Sequence, residues 1–153
     1  MFHDLLSNEV LVASTFGWAM AQIVKALVAF FQGRGLSYRY LFGSGGMPSS
    51  HSAFVSALTT AIAIIHGFGS TDFAISVVIA LIVMYDAAGV RQSVGRQSRV
   101  INRIVKELRL GRHVTELESD LRELVGHTPF QVFAGSALGI IVGWAWVVIA
   151  GVY

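Results

Sequence analysis

Four apolar runs constrain the fold of this chain more than any other feature of its sequence. They cover about residues 10–31, 48–66, 71–88 and 129–152 of a 153-residue chain that is 54% hydrophobic and 13% charged. Such a composition is too apolar for an ordinary soluble domain. About 20 apolar residues in an α-helix cross a bilayer core. The sequence therefore predicts an all-α integral membrane bundle of about four transmembrane helices, in a single domain of residues 1–153.

A charged segment, residues 92–126, separates the third and fourth apolar runs. Val100, Ile101 and Ile104 fall on one helical face, and basic residues such as Arg103 lie among them. This pattern is typical of a basic amphipathic helix that lies on a membrane surface. We therefore expect an interfacial helical segment between the third and fourth spans.

The basic residues predict the orientation of the spans. Lys25, Arg34 and Arg39 lie in or near the first loop, and the other eight Lys and Arg residues lie between Arg91 and Arg122. The positive-inside rule places both loops in the cytoplasm and both termini outside, and we expect a bacterial cytoplasmic membrane. Basic loops that face anionic lipid headgroups account for the net charge of +2, so no nucleic-acid partner is expected.

A small polar stretch, Gly45-Gly46-Met47-Pro48-Ser49-Ser50-His51, precedes the second span. Glycine permits tight bends and close approach of the backbone to a ligand, and proline suits the first position of a helix. The free N–H groups at a helix start favour an anion. Gly46, Ser49, Ser50 and His51 are therefore candidate phosphate-site residues, although serine is also an ordinary helix-capping residue.

A second histidine precedes the fourth span, in Gly126-His127-Thr128-Pro129. With four spans, the second and fourth helices both begin on the cytoplasmic side, so His51 and His127 are predicted to lie on one membrane face. Imidazole titrates near neutral pH and can act as a general acid or a nucleophile. The alternative is that both histidines are interfacial polar residues at helix caps.

Further charged residues are expected at the same face. Lys25 lies within an apolar span, where a charge is a functional hypothesis by default, although a long side chain can also extend to the interface. Arg39 and Arg91 are candidates to hold phosphate oxygens. Asp86 is a candidate to orient a histidine or to pair with Arg91. Together these groups suit the binding of a phosphate and the cleavage of its ester.

Two features bear on assembly and on cofactors. Gly135, Gly139 and Gly143 recur every four residues, the pattern for close helix contact, and a homodimer is expected from this face. The chain has no cysteine, which excludes disulfides, a thiol nucleophile and cysteine metal sites. No metal-ligand spacing stands out, so neither a metal nor another cofactor is predicted.

The motifs resemble those of a known superfamily. Pro48-Ser49-Ser50-His51 resembles the Pro-Ser-Gly-His motif of the type 2 phosphatidic acid phosphatases, which are related to the vanadium haloperoxidases. The stretch from His127 to Gly135 resembles that superfamily's final motif. The whole chain is similar to the small divergent branch, whose members carry Gly-Gly-Met-Pro-Ser-Ser-His, Asp-Ala-x-Gly-Val-Arg and Gly-His-Thr-Pro stretches.

This resemblance implies a helical membrane fold and metal-independent removal of phosphate from lipid phosphates. His127 would attack phosphorus and His51 would protonate the leaving group. The residues that would hold the phosphate are Ser49, Ser50 and Arg91, with Lys25 and Arg39 as looser candidates. Two departures matter: Ser50 replaces the motif's glycine, and Gln131 replaces the aspartate that orients the nucleophile. Glu123 and Asp86 are candidates to supply a carboxylate instead.

The prediction is a lipid phosphate or pyrophosphate phosphatase that forms a phosphohistidine. The alternative is a protein that binds or transports a phospholipid or polyprenyl phosphate without turnover. A purely structural oligomeric membrane protein is a third interpretation. Phosphatidate, phosphatidylglycerol phosphate and polyprenyl pyrophosphate all remain open as the lipid.

Overall fold

The computed structural model describes residues 7–33, 46–90 and 127–152, together with eight residues between 93 and 104. The helices, in chain order, are α1 (Glu9–Phe31), α2 (Ser50–Ile65), α3 (Thr71–Tyr85) and α4 (Pro129–Ala150). A π-helical turn, Asp86–Val90, continues α3. The described residues contain no strand, so the predicted all-α fold class is confirmed.

The helices differ in how well their lengths match a bilayer. Three segments are long and apolar enough to cross one, and they are Glu9–Phe31, Thr71–Gly95 and Pro129–Ala150. The remaining helix, α2, has 16 residues, and at 1.5 Å per residue it is about 24 Å long. It is therefore shorter than a bilayer core of about 30 Å, and it lies among the longer helices.

Capping side chains set the starts of α2 and α4. The Ser49 hydroxyl accepts a hydrogen bond from the Ser52 N–H at 3.3 Å, which makes Ser49 the N-cap of α2. Pro48 therefore precedes the helix, and the expectation that it occupies the first helical position is wrong. At α4 the proline does occupy that position, because Thr128 is the N-cap and Pro129 follows it.

The central helix of the bundle is α2, which contacts each of the other three helices. Its closest neighbour is α4, whose glycines lie against the α2 backbone. A Cβ at Gly135 or Gly139 would overlap the carbonyl oxygen of Ser49 or of Ala53. The glycine face is therefore occupied within the chain, and it gives no support to the homodimer that was expected from it.

The helices alternate in direction, so the bundle has two distinct ends. At one end the Trp146 indole N–H donates to Glu9 Oε2 at 2.9 Å, which joins the start of α1 to the last turns of α4. We call this the Glu9 end. The starts of α2 and α4 lie at the other end, which we call the histidine end. Because α3 is antiparallel to α2, its π-helical turn also lies there and contacts α4.

The charged segment 92–126 lies largely outside the described residues. Those that are described between 93 and 104 are helical. Val100, Ile101 and Ile104 are all about half exposed, which agrees with an apolar face available to the membrane. The rest of the predicted amphipathic helix stays a prediction.

Candidate active site

Two backbone segments meet at the histidine end and form the framework of the site. The N–H of Ser49 donates to the carbonyl oxygen of Gln131 at 3.1 Å. This bond joins the stretch before α2 to the first turn of α4. The glycine at position 135 lets the two backbones approach this closely, because any side chain there would overlap Ser49.

The two histidines face each other across this framework. The ring centroids of His51 and His127 are 6.4 Å apart. His127 precedes α4 and is 2% exposed, whereas His51 lies in the first turn of α2 and is exposed. One buried and one accessible imidazole therefore share one site.

Gln131 selects the tautomer of His127, that is, which of the two ring nitrogens carries the proton. The backbone N–H of Thr128 donates to Gln131 Oε1 at 3.0 Å, and an N–H can only donate, so the amide oxygen must face it. The same oxygen lies 3.2 Å from His127 Nδ1. An amide oxygen only accepts, so Nδ1 carries the proton and Nε2 of the neutral ring keeps its lone pair.

The position of Gln131 follows from a capping box. The Gln131 N–H donates to Thr128 Oγ1 at 3.3 Å, while the Gln131 side chain accepts from the Thr128 backbone. The sequence signal for this arrangement, Thr-x-x-Gln before an apolar run, was present but was not recognised. Gln131 therefore lies beside His127 and supplies it with an uncharged hydrogen-bond acceptor.

Ser49 and Ser50 are both buried at the start of α2. Ser49 is 0% exposed and Ser50 is 4% exposed. The Ser49 hydroxyl accepts from both the N–H and the hydroxyl of Ser52, the latter at 3.0 Å. The observed contacts of Ser49 are thus structural, and they fix the turn that carries His51.

Lys25 lies against the glycine stretch. The side chain is 3% exposed, so it is buried in the bundle and does not extend into solvent. A Cβ at Gly46 would lie 3.2 Å from Lys25 Cγ and 3.3 Å from Cδ. Gly46 also has φ +94°, a backbone conformation that favours glycine. Gly46 therefore makes room for the lysine stem beside the turn before α2.

One polar group near the site was missed by the sequence reasoning. Gln22 lies one helical turn before Lys25 on α1, and its buried Oε1 has no hydrogen-bond partner in the described part of the chain. A buried amide oxygen without a partner is uncommon. A single glutamine within an apolar run gave no pattern from which to predict this.

The remaining predicted site residues are only partly placed. Asp86 begins the π-helical turn that contacts α4, so it lies at the histidine end. Arg39, Arg91 and Glu123 lie outside the described residues. Within the described ranges, no group of three His, Cys, Asp or Glu side chains could hold a metal ion.

Comparisons with known proteins agree with the motifs. The Divergent PAP2 family model matches residues 6–142. An uncharacterized membrane protein, YuiD, of Bacillus subtilis (strain 168) is 40% identical over 149 residues, which cover 90% of this chain and 93% of the relative. No solved structure matches. The apolar helices and this relative indicate an integral membrane protein, and the extent of the family match shows that the chain belongs to the Divergent PAP2 family.

Proposed function

We propose that this protein is a membrane lipid phosphate phosphatase that uses His127 as its nucleophile. The observation that carries the proposal is the pairing of His51 and His127 at 6.4 Å between ring centroids, with His127 Nδ1 held by Gln131. Membership of a PAP2-related family supports the same chemistry.

The reaction proceeds in two steps, transfer of the phosphoryl group to His127 and its hydrolysis by water. The lone pair on His127 Nε2 forms a bond to phosphorus while the bond from phosphorus to the lipid oxygen breaks. His51, as the imidazolium, gives its proton to that oxygen and becomes neutral. A water molecule then attacks the phosphohistidine, His51 takes a proton from the water, and phosphate leaves from His127.

Positive charge at the histidine end favours a phosphate. Both α2 and α4 begin there, and the start of a helix carries a partial positive charge. Lys25, whose stem lies beside Gly46, is the candidate side chain to add positive charge there. The distribution of Lys and Arg along the sequence leads us to place this end on the cytoplasmic face of a bacterial membrane.

The test is phosphate release by detergent-purified protein from phosphatidate, phosphatidylglycerol phosphate and a polyprenyl pyrophosphate, with a chelator present. We expect release that is lost in both His127→Ala and His51→Ala. Phe133→Ala is the matched control, because it removes a ring of similar size from the first turns of α4 that is 73% exposed. Release that persists in His127→Ala would contradict the proposal.

A second candidate function is phosphate-lipid binding or transport without turnover. The observation that favours it is the neutral Gln131 amide at the position of the family's aspartate. An amide stabilises a developing imidazolium less than a carboxylate does. This alternative predicts that lipid phosphates bind, that binding survives in His127→Ala, and that no phosphoenzyme can be trapped.

A further inference from the structure

The side chain of Gln22, on α1, carries a buried acceptor that the fold leaves unused. Its Oε1 has no hydrogen-bond partner in the described part of the chain. Such an oxygen gives up its hydrogen bonds to water on folding and gains none in return, so it destabilises the protein. A leucine of similar size would avoid that cost. An unpaired polar group inside a protein therefore points to a function that uses it.

Lys25 is a second buried polar group on the same side of α1. Its side chain is 3% exposed, and it forms no hydrogen bond or ion pair with any described residue. Side chains three residues apart on a helix are neighbours. A helical side chain also leans toward the N-terminus of its helix, so Lys25 leans toward Gln22. An acceptor without a donor and a basic side chain without an acceptor thus lie about one turn apart.

The packing of α1 against α2 places both groups at the histidine end. A Cβ at Gly17 would lie 3.1 Å from the carbonyl oxygen of Ala53, and a Cβ at Gly46 would lie 3.2 Å from Lys25 Cγ. The two helices run in opposite directions, so Gln22, which lies between Gly17 and Lys25, is level with residues between Ala53 and Gly46. The start of α2 falls within that range. Both side chains are therefore at the level of the first turn of α2, which carries one of the two histidines.

The Lys25 amine has the donors that Gln22 lacks. Lys25 is the only Lys or Arg among the residues that the structure describes. An ammonium has three N–H donors and no acceptor, so one N–H directed to Gln22 Oε1 leaves two for an anion. An anion beside an amine favours the charged form of that amine. A bound phosphate therefore supplies the condition under which all of these groups are paired.

A direct contact between Gln22 Oε1 and the phosphate would not pair the buried oxygen. An amide oxygen only accepts hydrogen bonds, and the oxygens of an anionic phosphate are acceptors as well. The two would repel each other. Gln22 Oε1 can therefore assist the binding of an anion only through a donor, and Lys25 is the neighbouring donor on the same helix.

We propose that Gln22 is a positioning residue for Lys25: when phosphate binds at the histidine end, Gln22 Oε1 accepts one N–H of the ammonium and directs the other two to the phosphate. This inference rests on the proposed function, because the phosphate that Lys25 holds is the one that His127 attacks. It goes further in giving a role to a residue outside the motifs that carry the family resemblance. Loss of the Gln22 amide then weakens phosphate binding without weakening the fold.

The binding test is a double-mutant cycle on the purified full-length protein in detergent. The probe is the phosphonate analogue of dioleoyl phosphatidate, whose carbon–phosphorus bond resists cleavage, and its dissociation constant is measured by titration calorimetry. We expect Gln22→Leu to raise that constant about tenfold, the effect of one hydrogen bond to a charged group. In a Lys25→Met background the same change should have no effect, because Gln22 acts through Lys25.

Thermal unfolding without ligand separates this role from a structural one. Gln22→Leu removes an unpaired buried acceptor, so its unfolding temperature should equal or exceed that of the wild type. Gln22→Met is a second variant, since methionine adapts to irregular spaces, and the same two results are expected from it. Gln32→Leu is the matched control, because Gln32 lies just past the end of α1 with an exposed side chain. Neither its dissociation constant nor its unfolding temperature should change.

The outcomes separate this inference from the phosphatase proposal. Coupling between Gln22 and Lys25 in phosphonate binding, with no phosphate release from phosphatidate by the wild type, would support the positioning role and contradict the phosphatase. With histidine-dependent release established, three results would overturn the positioning role alone. They are an unchanged dissociation constant in both Gln22 variants, additive effects of Gln22→Leu and Lys25→Met, and weaker binding that accompanies a lower unfolding temperature in both Gln22 variants.

Discussion

Replacing Gln131 with Glu restores a negative charge beside the nucleophile without changing the shape of the side chain. In the present chain Gln131 Oε1 lies 3.2 Å from His127 Nδ1 and 3.0 Å from the Thr128 N–H. A glutamate oxygen in the same position accepts from both groups. When His127 Nε2 bonds to phosphorus, the ring becomes cationic, because Nδ1 keeps its proton. The carboxylate therefore stabilises the transition state more than the ground state.

The expected gain follows from the strengths of the two hydrogen bonds. A neutral hydrogen bond contributes about 0.5–1.5 kcal/mol and one to a charged group about 1.5–3 kcal/mol. The difference is about 1 kcal/mol, which corresponds to about a fivefold increase in rate. We expect Gln131→Glu to raise kcat for phosphatidate by about this factor. Stability should not fall, since an acidic side chain in the first turn of α4 also favours the helix dipole.

Gln131→Met is the matched variant, because methionine has a similar length and cannot hold the Nδ1 proton. Losing the hydrogen-bond partner of a metal-bound histidine costs about 10–100-fold, and we expect a loss of that order here. The assay is single-turnover phosphate release by purified protein, with thermal unfolding measured beside it. A methionine variant as fast as the wild type would refute the tautomer argument. A glutamate variant slower than the wild type would refute the charge argument.

Three other variants test the packing around the site. Gly135→Ala places a Cβ on the Ser49 carbonyl and should lower the free energy of unfolding by about 1–3 kcal/mol. Gly69→Ala is the control, because a Cβ there would meet no atom within 4 Å, and its thermal unfolding should not change. Gly46→Ala forces φ +94° on a residue with a side chain, so we expect the free energy of unfolding to fall by about 1–2 kcal/mol. We also expect a higher KM for phosphatidate because the new Cβ displaces Lys25. An unchanged KM would contradict the assigned contact between Gly46 and Lys25. Lys25→Gln removes a buried charge, and KM for phosphatidate should rise about tenfold or more; an unchanged KM would show that Lys25 does not contact the phosphate.

The helices could be predicted from the sequence, because each apolar run has the length and composition of a buried or lipid-facing helix. The predicted starts at residues 10, 71 and 129 are within one residue of those observed. The start of α2 was predicted two residues too early. Ser49 is the N-cap, with its hydroxyl accepting from the Ser52 N–H, so Pro48 lies before the helix. The placement of both histidines at one end followed from the alternation of helix direction.

The partners of individual residues could not be predicted in the same way. A glycine every four residues predicts a close helix contact, but the pattern is the same whether the partner lies within the chain or in a second copy. The structure shows that Gly135 and Gly139 contact α2. Likewise, the sequence alone shows only that Gln131 stands where the resembled motif has a carboxylate. Its hydrogen bond to His127 depends on the rotamer that the capping box fixes.

The most direct test of the account is to trap the phosphoenzyme. Phosphatidate labelled with ³²P is mixed with purified protein, the reaction is quenched in alkali, where phosphohistidine survives, and the labelled peptide is identified. We predict a label on His127 in the wild type and none in His127→Ala. His51→Ala should accumulate little label, because the leaving oxygen receives no proton. A folded wild-type protein that releases phosphate without ever carrying label on His127 would contradict the account.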